Sequence, residues 1–169
     1  MSHIAFYTFG ILHGNEDHPG MNGFFDSLDI VFEEAKQSEG FIGLDTGDWG
    51  TRFMPRFFDK EKHSCVAATL SLWKDLESVY AFAYRKGHGE GLKHRYEWFL
   101  KGDWPVYVAW WVEDGHIPTR EEACKKLEHL HDNGSGPSAF DFKKPFNEKA
   151  AEIELNRALI RERVKTNSA

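Results

Sequence analysis

The chain has 169 residues, 41% hydrophobic and 28% charged, which suits one globular domain with a sizeable core and excludes a disordered chain. A formal charge of -6 and a pI near 5.8 argue against a nucleic-acid partner, because counterion release needs a concentrated basic patch. No stretch approaches a membrane-spanning length and MSHIAFYTFG lacks the features of a secretory signal, so a cytoplasmic protein with no membrane partner is expected.

Residues 3–9, HIAFYTF, alternate as a strand, with Ile4, Phe6 and Thr8 on one face and Ala5, Tyr7 and Phe9 on the other. A glycine- and proline-broken loop over 10–20 carries His13, Asp17 and His18. Phe24, Leu28, Val31, Phe32 and Ala35 recur at helical spacing over 21–37, and Gly40 ends that helix. Residues 41–44 read as a second strand. Residues 45–63 read as an irregular excursion, offering a short strand within 51–58 that Pro55 interrupts. Residues 65–73, CVAATLSLW, suit a pleated sheet. Cys65 and Cys124 lie far apart without a CxxC and read as reduced thiols.

A helix is expected over 74–87, with Leu76, Val79, Tyr80 and Ala83 inward. Gly87, Gly89 and Gly91 break it near His88, since each glycine costs about 1 kcal/mol of helix stability against alanine. Helical spacing resumes over 90–100. PVYVAWWV at 105–112 is the strongest strand signal. Thr119 is an N-cap that Glu122 completes as a capping box, opening a helix to about residue 131. A last strand is expected over 138–142 and a last helix over 146–164. This order suits an α+β sandwich of the ferredoxin-like kind. Helices would cover one sheet face, and a second copy of the chain would cover the other. Residues 1–142 form the expected domain and 143–169 a C-terminal helical extension.

The stretch from Tyr84 to Pro118 concentrates the chemistry. On a helix, Tyr84, His88, Arg95 and Trp98 or Phe99 fall near one face. A phenol, an imidazole and a guanidinium among aromatics suit a small-molecule pocket. His88 can move a proton, while Arg95 and Tyr84 can stabilise an oxyanion. The structural alternatives are a capping role for His88, an ion pair of Arg95 with Glu97 or Asp103, and a helix anchor for Tyr84. Trp98, Phe99, Trp110, Trp111, His116 and Phe6 are the candidate substrate-binding residues. Trp110 and Trp111 are adjacent on a strand, so only one of them can face the pocket. His116 reads first as a loop-stabilising residue. No metal is expected: His13, Asp17 and His18 match a metal site only loosely, and no HExxH occurs. A dinucleotide fingerprint, a P-loop and a nucleophile elbow are also missing.

The motifs AFAYRKGHGEGLKHRYEWF, VYVAWWVEDGHIPTREEACKKLEHL and GPSAFDF resemble an uncharacterised domain family. That family lies within the dimeric α/β-barrel, antibiotic-biosynthesis-monooxygenase-like superfamily. The resemblance covers residues 3–142, with 45–63 and 143–169 as additions. It implies a homodimer of ferredoxin-like folds with a pocket between sheet and helices in each subunit. Relatives include cofactor-free monooxygenases, muconolactone isomerases, polyketide and olivetolic-type cyclases, and haem enzymes. The expected function is therefore cofactor-independent acid–base chemistry (isomerase, cyclase or lyase) on an apolar aromatic or polyketide-like molecule, in a biosynthetic setting. A cofactor-free monooxygenase and a non-catalytic binding or assembly module are the alternatives. No cofactor is expected, and a haem held by His88 is the competing possibility.

Overall fold

A computed structural model describes residues 1–45, 53–84 and 94–168. Its centre is one sheet of four antiparallel strands: β1 (Ser2–Ile11), β2 (Phe41–Asp45), β3 (Val66–Trp73) and β4 (Tyr107–Glu113). The spatial order is β2-β3-β1-β4, so β1 is interior and pairs on both sides. Among the described residues five α-helices accompany it: α1 (Asn22–Gln37), α2 (Leu76–Ala83), the single turn α3 (Arg95–Trp98), α4 (Arg120–Asn133) and α5 (Arg157–Asn167). With α1 between β1 and β2 and α2 between β3 and β4, the topology is consistent with the expected ferredoxin-like fold.

Both faces of the sheet are packed over β1 and β4. On one, Ile4, Phe6, Trp73 and Ala109 pack against Ala35 of α1, Leu76, Val79 and Phe82 of α2, and Phe140, Phe146, Leu155 and Ile160 near the C-terminus. Residues on both sides of position 142 therefore share one core. On the other face, Ala5, Tyr7, Phe9, Leu70, Val108 and Trp110 pack against Phe58 and against Ala123, Cys124, Leu127 and Leu130 of α4. This second face was the expected seam for another copy of the chain, but α4 and Phe58 cover much of it from within. The small Ala123 and Cys124 leave room for α4 to lie close to the sheet.

Three segments depart from their sequence patterns. Residues 138–142 are not a sheet strand but form a single bridge. There Ala109 and Phe140 exchange N–H···O bonds of 2.8 and 2.9 Å over the outer edge of β4. A tight Gly136–Ala139 turn ends the pairing after one step. Helix α5 begins only at Arg157, where the Asn156 side chain accepts the Leu159 N–H at 3.1 Å. Upstream, the Asn147 side chain accepts N–H bonds from Lys149 and Ala151, and this local turn competes with helix. Residues 53–58 turn at Pro55, with the Phe58 N–H donated to the Pro55 carbonyl, and form no strand.

Polar anchors fix the helices. Asp75 caps α2 by accepting the Ser78 N–H at 2.9 Å. Its carboxylate also takes two N–H bonds from Arg163, whose side chain is 5% exposed and lies 3.4 Å from Glu39. Asn167 accepts the Glu39 N–H at 3.0 Å, so the C-terminal half of α5 is tied to the α1–β2 and β3–α2 corners. Gly40 sits at a φ of +81°, and a Cβ there would overlap the Ser78 hydroxyl, so this corner needs glycine twice over.

Candidate functional site

The site grows from the far end of β1. Leu12 bridges to Phe99, the His13 N–H is donated to the Trp98 carbonyl at 2.9 Å, and the Leu100 N–H to Ile11 at 2.8 Å. These bonds lay α3 and its exit along the strand end. Trp98 and Phe99 then pack edge-on against Phe24 of α1, at 5.7 and 5.4 Å between ring centroids. Each is an anchor first. Phe99 also lines, with His13, Tyr96 and Lys101, an open recess of about 360 Å³. Arg95 lies over the Tyr96 ring at 4.5 Å and donates to its hydroxyl at 2.6 Å, which holds the guanidinium beside the recess. Its expected structural alternative, a pair with Glu97 or Asp103, is not formed among the described residues, where Glu97 binds His94 at 3.0 Å.

Tyr84 is the C-cap of α2 and is 55% exposed. Its ring stacks on Tyr80 at 4.4 Å, and Tyr80 in turn receives Arg157, whose N–H reaches the phenol at 3.1 Å. Partial burial and Tyr80 push the Tyr84 phenol above its ordinary value, while the charges of Arg157 and Arg95 pull it down. The Arg95 influence is the smallest of these and reaches Tyr84 from a separate helix. Tyr107 opens β4 in register with Thr8, and Thr8 meets Thr69 hydroxyl to hydroxyl at 2.6 Å. Burial pushes the Tyr107 phenol up to about 12, against the Phe142 N–H that it accepts at 3.3 Å. Tyr107 therefore stays a neutral hydrogen-bonding group at physiological pH.

The other candidates fall elsewhere. Phe6 is buried between Tyr107 and Phe142, at 5.4 and 5.7 Å. Trp111 shares that sheet face and donates its indole N–H to the Phe146 carbonyl at 2.8 Å. Trp110 points to the opposite face, is 1% exposed, and donates to Glu122 at 2.8 Å. The other Glu122 oxygen meets His116 at 2.8 Å, and Thr119 accepts the Glu122 N–H as the expected cap. His116 thus ties the loop after β4 to α4, on the face away from Tyr84. His88 and its flanking glycines lie outside the described residues.

The wheel that joined Tyr84 to Arg95 ran through residues 85–93, which lie outside the described residues. Because α2 ends at Ala83 and α3 has one turn, the wheel could not reveal Tyr96, Lys101 or His13 as neighbours. Proximity across the β1 end does so. Among the described residues, no cluster of three or more His, Cys, Asp or Glu could hold a metal ion. His18 instead accepts the Gly20 N–H through Nδ1. Among the same residues, no helix is long and apolar enough to cross a membrane. Comparison with the curated proteins finds no match. Over residues 3–156, spanning the strands, the recess and the Tyr84 cluster, the chain belongs to the family described as a domain of unknown function, DUF3291.

Proposed function

We propose that the chain is an acid–base enzyme that isomerises, cyclises or cleaves an apolar aromatic or polyketide-like small molecule without a cofactor. The observation that carries this reading is the recess at the β1 end. It joins an aromatic wall, Phe99 and Tyr96, to the cations Lys101 and, through Tyr96, Arg95. Removing a proton beside a carbonyl creates an enolate, and a preorganised guanidinium stabilises the charge that develops on its oxygen. Tyr84, whose phenol is held above its ordinary value and so stays protonated, is the assigned hydrogen-bond donor to that oxygen. His88, in the segment between Tyr84 and α3, is the assigned proton carrier, because an imidazole takes and returns a proton near neutrality. Every group named belongs to one chain, so the reading needs no second copy.

The test is deuterium exchange into enolisable aryl ketones in D2O, followed by NMR, with oxygen uptake recorded in parallel. Exchange that falls about 100-fold in His88→Ala, Arg95→Ala and Tyr84→Phe, at unchanged melting temperature, supports the assignment. Oxygen uptake coupled to turnover would transfer the reading to a cofactor-free monooxygenase. Binding of the ketones without exchange or uptake would refute both and leave a binding module.

A further inference from the structure

The aromatic wall of the recess at the β1 end is fixed by the strand itself. Phe99 lies against Gly10, where a Cβ would overlap the ring, and meets Phe24 edge-on at 5.4 Å. A glycine inside a strand weakens it, and it is retained where another group must approach closely. Gly10 stands in β1 opposite Ala67 of β3, and the group that approaches it is Phe99. The Leu100 N–H, donated to the Ile11 carbonyl at 2.8 Å, then holds the backbone just before Lys101, whose exposed side chain lines the recess.

The charge here runs against that of the whole chain. Acidic residues number 27 against 21 Lys and Arg. Yet among the described residues that line the recess, which are His13, Tyr96, Phe99 and Lys101, there is no carboxylate. The acidic residue of α3, Glu97, is engaged by His94 at 3.0 Å. Arg95 donates to the Tyr96 hydroxyl, a neutral acceptor, so its charge is not cancelled there. Lys101 forms no ion pair among the described residues. Two cations without a carboxylate therefore flank one aromatic wall.

We propose that this recess takes an aryl carboxylate: the ring lies on Phe99, Lys101 takes the carboxylate, and Arg95 is left for the oxygen on which charge develops. This names the substrate class of the reaction proposed above and rests on that reading for its chemistry, whereas the binding stands on the recess alone. An anion is repelled by the net charge of -6, so a preference for it can come only from cations close to where it binds. An exposed ion pair is worth about a threefold gain in affinity, so the two cations together give about tenfold.

The experiment is calorimetric titration of the full chain with 4-acetylbenzoate against 4-acetylbenzamide, two enolisable aryl ketones of similar shape that differ in charge, at about 10 mM salt where screening is weak. The acid is expected to bind about tenfold more tightly than the amide. Lys101→Met keeps the apolar stem at an exposed position, and it and Arg95→Met should each narrow that ratio about threefold at unchanged melting temperature. The proposal is overturned if the amide binds as tightly as the acid, if Lys101→Met leaves the ratio unchanged, or if neither ketone binds. Deuterium exchange into the same two ketones separates it from the reading on which it rests. Exchange into both without a difference in affinity overturns the carboxylate site and keeps the acid–base reading. Preferential binding of the acid without exchange does the reverse.

Discussion

Replacing Asp75 tests how the C-terminal helix is held. The Asp75 carboxylate does two jobs: it caps α2 through the Ser78 N–H and hydroxyl, and it pairs with the nearly inaccessible Arg163. Loss of an N-cap costs about 1 kcal/mol. Leaving a buried guanidinium without its carboxylate costs about 3 kcal/mol, at the lower end for such pairs because Glu39 remains 3.4 Å away. Asp75→Ala should therefore lose about 4 kcal/mol, and Asp75→Asn, which keeps the cap, about 3. Arg163→Met replaces the guanidinium with a packing side chain. In the double variant with Asp75→Ala, the cost should fall short of the summed singles by about 2 kcal/mol. Urea unfolding of these four variants and the unaltered protein, read by tryptophan fluorescence, gives these values. Additive losses, or an Asp75→Ala cost below about 1.5 kcal/mol, would refute the pair as an anchor of α5.

Acid should expose the same group. Burial favours the protonated form of Asp75, but Arg163 and the Ser78 groups outweigh it and hold the carboxyl below its ordinary value. Glu122 is held low likewise by His116 and Trp110 against its burial. A lowered folded value gives stability that is complete above the ordinary carboxylate range and lost as pH falls through the folded value. The urea midpoint should then drop below about pH 4, less steeply in Asp75→Asn; an equal slope in that variant would count against the assignment. Tyr107, ionising at about 12 when folded, contributes stability present below the ordinary phenol value and lost as pH rises toward 12. Tyr107→Phe should remove one late step from the ultraviolet tyrosine titration, and an unchanged trace would refute the burial argument. Gly40→Ala should cost about 2 kcal/mol from its positive φ and the overlap with Ser78, and thermal unfolding without a shift would show that the corner relaxes freely. Phe140→Ala, at a side chain with no exposure beneath the β4 edge bridge, should cost about 3–5 kcal/mol in the same urea assay.

Local pattern determined much of this protein. Alternation marked β1, β3 and β4, the 3.6-residue period marked α1 and α4, and Thr119 and Gly40 marked their ends, because each signal acts through neighbours along the chain. The sequence also identified Arg95, Tyr84 and Phe99 as residues to watch. It could not show that Tyr96, His13 and Lys101 surround the recess with Phe99, because those neighbours come together only where α3 docks on the end of β1. It likewise could not choose between Trp110 and Trp111, whose faces were settled when β1 paired with β4, nor tell that residues 147–156 would leave the helical pattern for the Asn147 turn. The covering of the second sheet face was a tertiary decision as well. The apolar stripe of α4 is legible in its sequence, but whether it meets its own sheet or another chain depends on where the loop after β4 directs it, and here it folds back onto Tyr7 and Trp110.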